Sequence, residues 1–198
     1  MVKALVLRVA GTNCHYETAF ALKKAGFGVD VAHLNSVLSK QVLLKDFSLL
    51  VLPGGFSFGD YLGSAKVLAN QLKFNLKEGI EEFVVGQNLV LGICNGFQAL
   101  VKCGLLPAFQ NHFEDQSITL TFNESMHFQD EWIEMESVKG NICLFVKEIK
   151  TLKCPINHGE GRFVAKDDSV LKKLYENKQV VFKYVSNPNG SVDSIAGI

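Results

Sequence analysis

The sequence has no excess of either charge and no long apolar run. Its 198 residues include 20 Lys and Arg and 20 Asp and Glu, which gives a net charge of zero. Nucleic-acid-binding proteins and polybasic membrane anchors need concentrated positive charge, so neither class is favoured. No apolar stretch approaches the roughly 18 residues of a transmembrane helix, and Met1–Leu7 lacks the pattern of a signal peptide. A cytoplasmic protein is therefore expected.

Signatures of disulfides and of zinc sites are missing as well. The five cysteines are an odd number, widely spread and without a C-x-x-C pair. Cys143, Cys154 and His158 do not match the spacing of zinc ligands. We expect free thiols in a reducing compartment and no metal site.

What the sequence does contain is an alternation of short apolar runs and helical patterns. Strands are predicted at Lys3–Val9, Val29–Leu34, Leu49–Leu52 and Asn88–Ile93, and helices at Tyr16–Ala25, Ser36–Lys45, Lys66–Val85 and Asn95–Cys103. After Phe109 the pattern predicts strands at Ser117–Phe122, Trp132–Met135, Val180–Val185 and Ile195–Ile198, with a helix at Asp167–Glu176. This order predicts an α/β fold with a mostly parallel central sheet and a small antiparallel portion.

The sharpest motif is LGICNGF, in which a strand runs into a helix through Cys94. Gly92 and Gly96 flank the thiol with the G-x-nucleophile-x-G spacing of a nucleophile elbow. The helix N-terminus behind Cys94 favours a thiolate, and the N–H of Asn95 is placed to bind a developing oxyanion. The alternative is a small buried core cysteine. The order of strand, elbow and helix favours the nucleophile.

A glycine-rich loop, Pro53–Asp60, follows the preceding strand. It is not a phosphate loop, because Asp60 and Tyr61 stand where that motif requires Lys and Ser or Thr. Ligands of parallel sheets bind at the carboxyl ends of the strands. Gly54 and Gly55 are therefore candidates for a second oxyanion donor beside Cys94, although a purely structural turn is equally compatible with this loop alone.

His158 and Glu160 form a further candidate pair. Residues two apart on a strand point to the same side, so the two side chains are interpreted as a base and its orienting carboxylate. A hydrogen-bonded surface pair without a catalytic role is the favoured alternative, because such pairs arise easily by chance.

Together these segments resemble a known family. Gly92–Gln98 (GICNGFQ) is similar to the elbow of the class I, triad-type glutamine amidotransferases. Other segments resemble signatures of the glutaminase subunit of phosphoribosylformylglycinamidine synthase: GTNC at Gly11–Cys14, LPGGFSFGDYL at Leu52–Leu62, HGEGRF at His158–Phe163, NPNGS at Asn187–Ser191 and IAGI at Ile195–Ile198. The matches run from the first strand to the last residue.

The resemblance implies a flavodoxin-like three-layer sandwich and a single amidotransferase domain over residues 1–198. It implies that Cys94 attacks glutamine, that the N–H groups of Gly55 and Asn95 bind the oxyanion, and that Gln98 and Gly54 contact the substrate. Ammonia would pass to a large synthetase subunit in de novo purine synthesis. That partner would use ATP and magnesium, a small accessory subunit would join the complex, and this subunit would need no cofactor.

One departure bears on activity. The family's base and its carboxylate lie in a Pro-His-Pro-Glu type motif after the Ala-Gly-Ile run, and the sequence ends at Ile198 before that motif. A C-terminal truncation is the expectation. The alternative is a non-catalytic subunit that stabilises or regulates the synthetase. A second alternative is a hydrolase, glyoxalase or redox-stress protein that shares the elbow cysteine.

Overall fold

A computed structural model describes residues 1–109, 113 and 115–198. These residues form two units. One comprises Met1–Leu105 with Phe113 and Asp115, and the other comprises Leu106–Phe109 with Gln116–Ile198. Within the described residues, no helix combines the length and the apolar character that crossing a membrane requires.

In the first unit, strands and helices alternate along the chain. They are β1 (Lys3–Arg8), α1 (His15–Lys24), β2 (Gly28–His33), α2 (Leu34–Leu38), β3 (Leu49–Leu52), α3 (Lys66–Asn75), α4 (Lys77–Val85), β4 (Leu89–Gly92) and α5 (Asn95–Cys103). The strands form a four-stranded sheet in the order β2-β1-β3-β4, and all neighbours are parallel. The predicted parallel core is confirmed.

Helices cover both faces of this sheet. On one face, Ala19 of α1 packs with Val6 of β1 and Val51 of β3. Leu52 points to the opposite face because successive strand residues alternate. There it meets α5, since a Cβ on Gly96 would lie 2.8 Å from Leu52 Cβ. Strands β1 and β3 are buried almost throughout because neither face reaches water.

Two helix predictions in this unit are wrong in extent. The helix predicted over Lys66–Val85 is two helices, because Leu76 leaves helical geometry with φ −126° and ψ 8°. The break lets α4 turn Ile80 and Phe83 into the core. The helix predicted over Ser36–Lys45 ends at Leu38, because the backbone turns left-handed at Lys40 with φ 60°.

The second unit is built from antiparallel strands. Its elements are β5 (Ile118–Thr121), β6 (Gln129–Ser137), β7 (Thr151–His158), β8 (Arg162–Ala165), α6 (Asp168–Glu176), β9 (Phe182–Tyr184) and β10 (Ile195–Gly197). One sheet has the order β10-β9-β6-β7 and a second pairs β5 with β8. The Asp167 side chain caps α6 by accepting a hydrogen bond from Val170 N–H at 3.0 Å. Strands β7 and β8 were not among the predicted elements.

Candidate active site

Cys94 lies at a sharp turn between β4 and α5. Its backbone angles, φ 53° and ψ −112°, lie outside the regions that residues other than glycine adopt without strain. The helix begins at once, since Gln98 N–H donates to the Cys94 carbonyl oxygen at 3.0 Å. Cys94 is exposed. This is the geometry that the sequence predicts for a nucleophile elbow.

Gly92 and Gly96 leave the space that this turn requires. A Cβ on Gly96 would lie 1.9 Å from the carbonyl oxygen of Leu52, and one on Gly92 would lie 2.6 Å from Leu100 Cδ1. Both distances are shorter than non-bonded atoms tolerate. The glycine spacing around the thiol therefore has a steric cause.

The loops after β1 and β3 meet beside the elbow. Cys14 N–H donates to the carbonyl oxygen of Gly54 at 3.2 Å, and a Cβ on Gly54 would lie 3.4 Å from Cys94 Cβ. Gly55 has φ 141°, and a Cβ there would lie 2.7 Å from the nitrogen of Asn13. The structure thus places Gly54 and Gly55 next to the thiol, as expected for loops at the carboxyl ends of neighbouring strands.

Two backbone N–H groups affect the thiol. Those of Asn95 and Gly55 lie near the Cys94 sulfur and lower the pKa of the thiol. Although Cys94 reaches solvent, the protein atoms around its sulfur displace water and raise the pKa more strongly, and the neighbouring Cys14 and Asp60 raise it further. The pKa therefore lies above its ordinary value, and the prediction that the helix N-terminus favours a thiolate is wrong, because burial outweighs the two N–H groups. An attack by this sulfur needs a proton acceptor, while the two N–H groups are available for an anionic oxygen.

The Asn95 side chain ties the elbow to the glycine-rich loop. Its Oδ1 accepts a hydrogen bond from Ser57 N–H at 3.0 Å, and its Nδ2 donates to Asp60 Oδ1 at 2.9 Å and to Gln98 Oε1 at 3.1 Å. Asp60 Oδ1 also accepts from Ala65 N–H at 3.0 Å. Sequence reasoning placed Gln98 at the site but missed Asp60 and the role of the Asn95 side chain. No motif signals contacts between loops that are 35 residues apart.

In the part of the chain that the structure describes, no cluster of three or more His, Cys, Asp or Glu side chains is arranged to hold a metal ion. The groups near the Cys94 sulfur are the backbone N–H donors of Asn95 and Gly55, the Cys14 thiol and the Asp60 carboxylate. Such a site suits a neutral carboxamide substrate whose carbonyl oxygen becomes negatively charged during the reaction.

Comparison with known proteins agrees with this geometry. A family model described as the CobB/CobQ-like glutamine amidotransferase domain matches residues 1–198. The chain belongs to this family. A chain in the structure of PurLQS from Thermotoga maritima superposes on this amidotransferase with a TM-score of 0.75 and 30% identity, covering 98% of this chain and 79% of that one.

Curated relatives of this amidotransferase carry one name. Phosphoribosylformylglycinamidine synthase subunit PurQ of Dehalococcoides mccartyi is 40% identical over 206 residues, covering 100% of this chain and 79% of the relative. The protein of the same name from Methanococcus maripaludis is 36% identical over 208 residues, covering 99% of this chain and 76% of the relative.

His158 and Glu160, the candidate base and carboxylate of the amidotransferase, lie in the second unit. His158 ends β7, and Glu160 lies in the bend that follows. The prediction that both residues point to one side of a single strand is therefore wrong, because the chain turns between them. His158 Nδ1 lies 3.0 Å from Asn123 Oδ1, and burial lowers the pKa of the imidazole.

The HGEGRF and NPNGS segments of the amidotransferase are joined to each other. Asn189 Nδ2 donates to the carbonyl oxygen of Gly161 at 2.9 Å, and Phe163 N–H donates to Ser191 Oγ at 3.0 Å. Asn189 and Ser191 are almost completely buried. Packing and hydrogen bonding within the second unit therefore explain why the two segments have these residues.

Proposed function

We propose that this protein is the glutaminase subunit of phosphoribosylformylglycinamidine synthase. The observation that carries the proposal is the strained strand-to-helix turn at Cys94, with the loop of Gly54 and Gly55 packed against it and the N–H groups of Gly55 and Asn95 near enough to lower the pKa of the thiol. The family match over the full chain and the name shared by the relatives support the same function.

In this function Cys94 Sγ attacks the side-chain carbonyl carbon of glutamine, and the thiol proton is transferred through a proton acceptor to the amide nitrogen that will leave. The carbonyl oxygen becomes negative and is bound by the N–H groups of Gly55 and Asn95. Collapse of the tetrahedral intermediate breaks the carbon–nitrogen bond, and the nitrogen leaves as ammonia after taking up that proton. Water then hydrolyses the thioester to glutamate and restores the thiol. Gln98 and Gly54 contact the bound glutamine.

Ammonia released at Cys94 serves a synthetase. The similar chain from Thermotoga maritima belongs to a structure of PurLQS, and by analogy this subunit assembles with a large synthetase subunit and a small accessory subunit. The synthetase carries ATP and magnesium and converts formylglycinamide ribonucleotide to the amidine, while this subunit needs no cofactor. The complex works in the cytoplasm.

A non-catalytic subunit is not favoured. Such a subunit would not require glycines at positions 92 and 96, a strained backbone at Cys94 and two N–H groups near its sulfur. A general elbow-cysteine hydrolase is not favoured either, since the relatives are named as synthase subunits.

The test is glutamine-dependent amidine formation by the purified synthetase and small accessory subunit of the same organism. With glutamine as nitrogen source, product should form only when this protein is added. With an ammonium salt, product should form without it, which controls for an active synthetase. A synthetase that uses ammonium but gains no glutamine-dependent activity from this protein would contradict the proposal.

A further inference from the structure

The segment that carries Gly55 continues in an unusual backbone conformation. Positive φ angles recur at Phe58 (54°), Asp60 (53°), Leu62 (66°) and Ala65 (58°), none of which is glycine. Residues with a Cβ adopt this region at a cost in free energy. Such a run persists only where surrounding contacts hold it.

Backbone carbonyls of the loop after β1 hold part of this segment, since Phe56 N–H donates to Gly11 at 3.0 Å and Phe58 N–H to Ala10 at 2.7 Å. Two further hydrogen bonds share one carboxylate oxygen. Asp60 Oδ1 accepts hydrogen bonds from Asn95 Nδ2 at 2.9 Å and from Ala65 N–H at 3.0 Å. Asn95 in turn accepts from Ser57 N–H at 3.0 Å and is only 2% exposed. The start of α5, the turn after Gly55 and the start of α3 are thereby fastened together.

We propose that Asp60 is a positioning residue for the glutaminase reaction. Asp60 Oδ1 fixes the Asn95 side chain. It thereby holds the N–H groups of Asn95 and Gly55 in the arrangement that binds the oxyanion. Asp60 itself does not touch glutamine. The inference rests on the proposed function and identifies which side chain aligns the two donors.

The charge of Asp60 supports a positional rather than an electrostatic contribution. A negative charge near Cys94 raises the pKa of the thiol and so disfavours the thiolate that attacks. An acid at this place works against the nucleophile through its charge, and its benefit lies in the hydrogen bonds. Asparagine at the same position retains an acceptor oxygen for Asn95 and Ala65, whereas alanine does not.

The test measures kcat and KM for glutamine in the complex with the synthetase. Asp60→Ala should lower kcat by about 10- to 100-fold, because a displaced oxyanion donor costs up to 10²–10³, while KM changes much less. Asp60→Asn should retain most of the wild-type kcat. Asp46→Ala, which removes an exposed carboxylate from another turn of the same unit, is the matched control and should behave as wild type.

A second variant keeps the test decisive if Asp60→Ala fails to fold. Asn95→Ala retains the backbone N–H but removes the amide that Asp60 holds, so it should show the same loss of kcat. The double variant should be no slower than Asn95→Ala alone, because both changes break one network.

Three outcomes would overturn the inference. Folded Asp60→Ala or Asn95→Ala with wild-type kcat would show that the network does not align the donors. Failure of Asp60→Asn to restore activity would show that the charge matters rather than the acceptor. Wild-type protein without glutaminase activity in the complex would refute the proposed function as well, which separates it from the other two results.

Discussion

Asparagine side chains join the loops around Cys94 and also the loops around His158. The two regions differ in whether the asparagine binds the ionisable side chain itself. At the elbow, the amide of Asn95 binds Ser57 and Asp60. Cys94 itself is exposed, and two backbone N–H groups lie near its sulfur. In the second unit, Asn123 is 0% exposed and binds the histidine ring directly.

The contacts of Asn123 define the state of His158. Asn123 Nδ2 donates to the carbonyl oxygens of His127 at 2.8 Å and His158 at 2.9 Å, so the other end of the amide is the acceptor. Asn123 Oδ1 accepts from Gly161 N–H at 3.0 Å and lies 3.0 Å from His158 Nδ1, which therefore carries the proton. Burial lowers the pKa of the ring and keeps it neutral.

The two regions differ in what the asparagine amide holds. Around Cys94 the amide holds the backbone, and the donors near the sulfur remain available to a substrate. Around His158 the amide is used to hold the ring itself, beside a glycine whose added Cβ would lie 2.2 Å from His158 Cε1. Sequence motifs mark both places equally, but only at Cys94 is the ionisable residue itself exposed and held at a positive φ.

The largest effect should follow from removing the thiol. Cys94→Ser should lower glutamine hydrolysis by about 10³-fold or more, since loss of a nucleophile leaves only residual catalysis by binding and the oxyanion donors. Its free energy of unfolding should stay near wild type because the side chain is exposed. Ammonia release and urea unfolding measure the two quantities. Cys143→Ser in the second unit is the control, and equal activity of the two variants would contradict the assignment.

The elbow backbone should be nearly as sensitive. Gly96→Ala places a Cβ 1.9 Å from the Leu52 carbonyl oxygen, so strand β3 or helix α5 must shift, at a cost of about 3 kcal/mol and most of the activity. Gly79→Ala in α4 meets only ordinary contacts, the nearest at 3.5 Å, and should be neutral or slightly stabilising. Thermal unfolding and glutaminase assays of the two variants would show whether the steric contact at Gly96 causes the loss of stability and activity.

Asn123→Ala should affect stability rather than chemistry. It leaves the buried N–H of Gly161 and the His158 ring without their acceptor, and we expect a loss of about 2–4 kcal/mol in the free energy of unfolding. Activity per folded molecule should change far less than in Cys94→Ser. A variant that unfolds like wild type but loses glutaminase activity would reverse the contrast between the two regions.

The smallest effect concerns pH. Because the folded-state pKa of His158 is lowered by burial, the unfolded chain binds a proton more readily than the folded one. The stabilisation is complete above about pH 6.5, the ordinary histidine value, and decreases as pH falls below it. Urea midpoints should therefore drop on acidification, and drop less in His158→Gln. The exposed His127→Gln is the control, and an identical pH dependence in all three proteins would refute the assignment.

The sequence predicted the elements that local signals delimit. Strand β3 has the predicted bounds because its apolar run ends at Pro53, and α5 ends as predicted before Gly104. The break at Leu76 was missed because neither glycine nor proline marks it. Strand β7 was missed because Pro155 within it weakens the strand pattern.

The residues of the candidate site also fall into those that local sequence signals mark and those that depend on contacts between loops. Cys94 and Asn95 could be predicted because strand, glycine spacing and helix follow one another in the sequence, and Gly54 and Gly55 because their loop follows the neighbouring parallel strand. Asp60 could not, since its contribution depends on hydrogen bonds between loops. The position of Glu160 outside strand β7 likewise depends on a bend that alternation along a strand does not predict.

The most direct test of the central claim is mass-spectrometric mapping of cysteines after brief exposure to a diazo-ketone analogue of glutamine. We expect that Cys94 is modified first, that glutamine protects it, and that Cys14, Cys103, Cys143 and Cys154 remain unmodified over the same time. Slow modification spread over all five cysteines, with no protection by glutamine, would contradict the assignment of Cys94 as the nucleophile of a glutaminase.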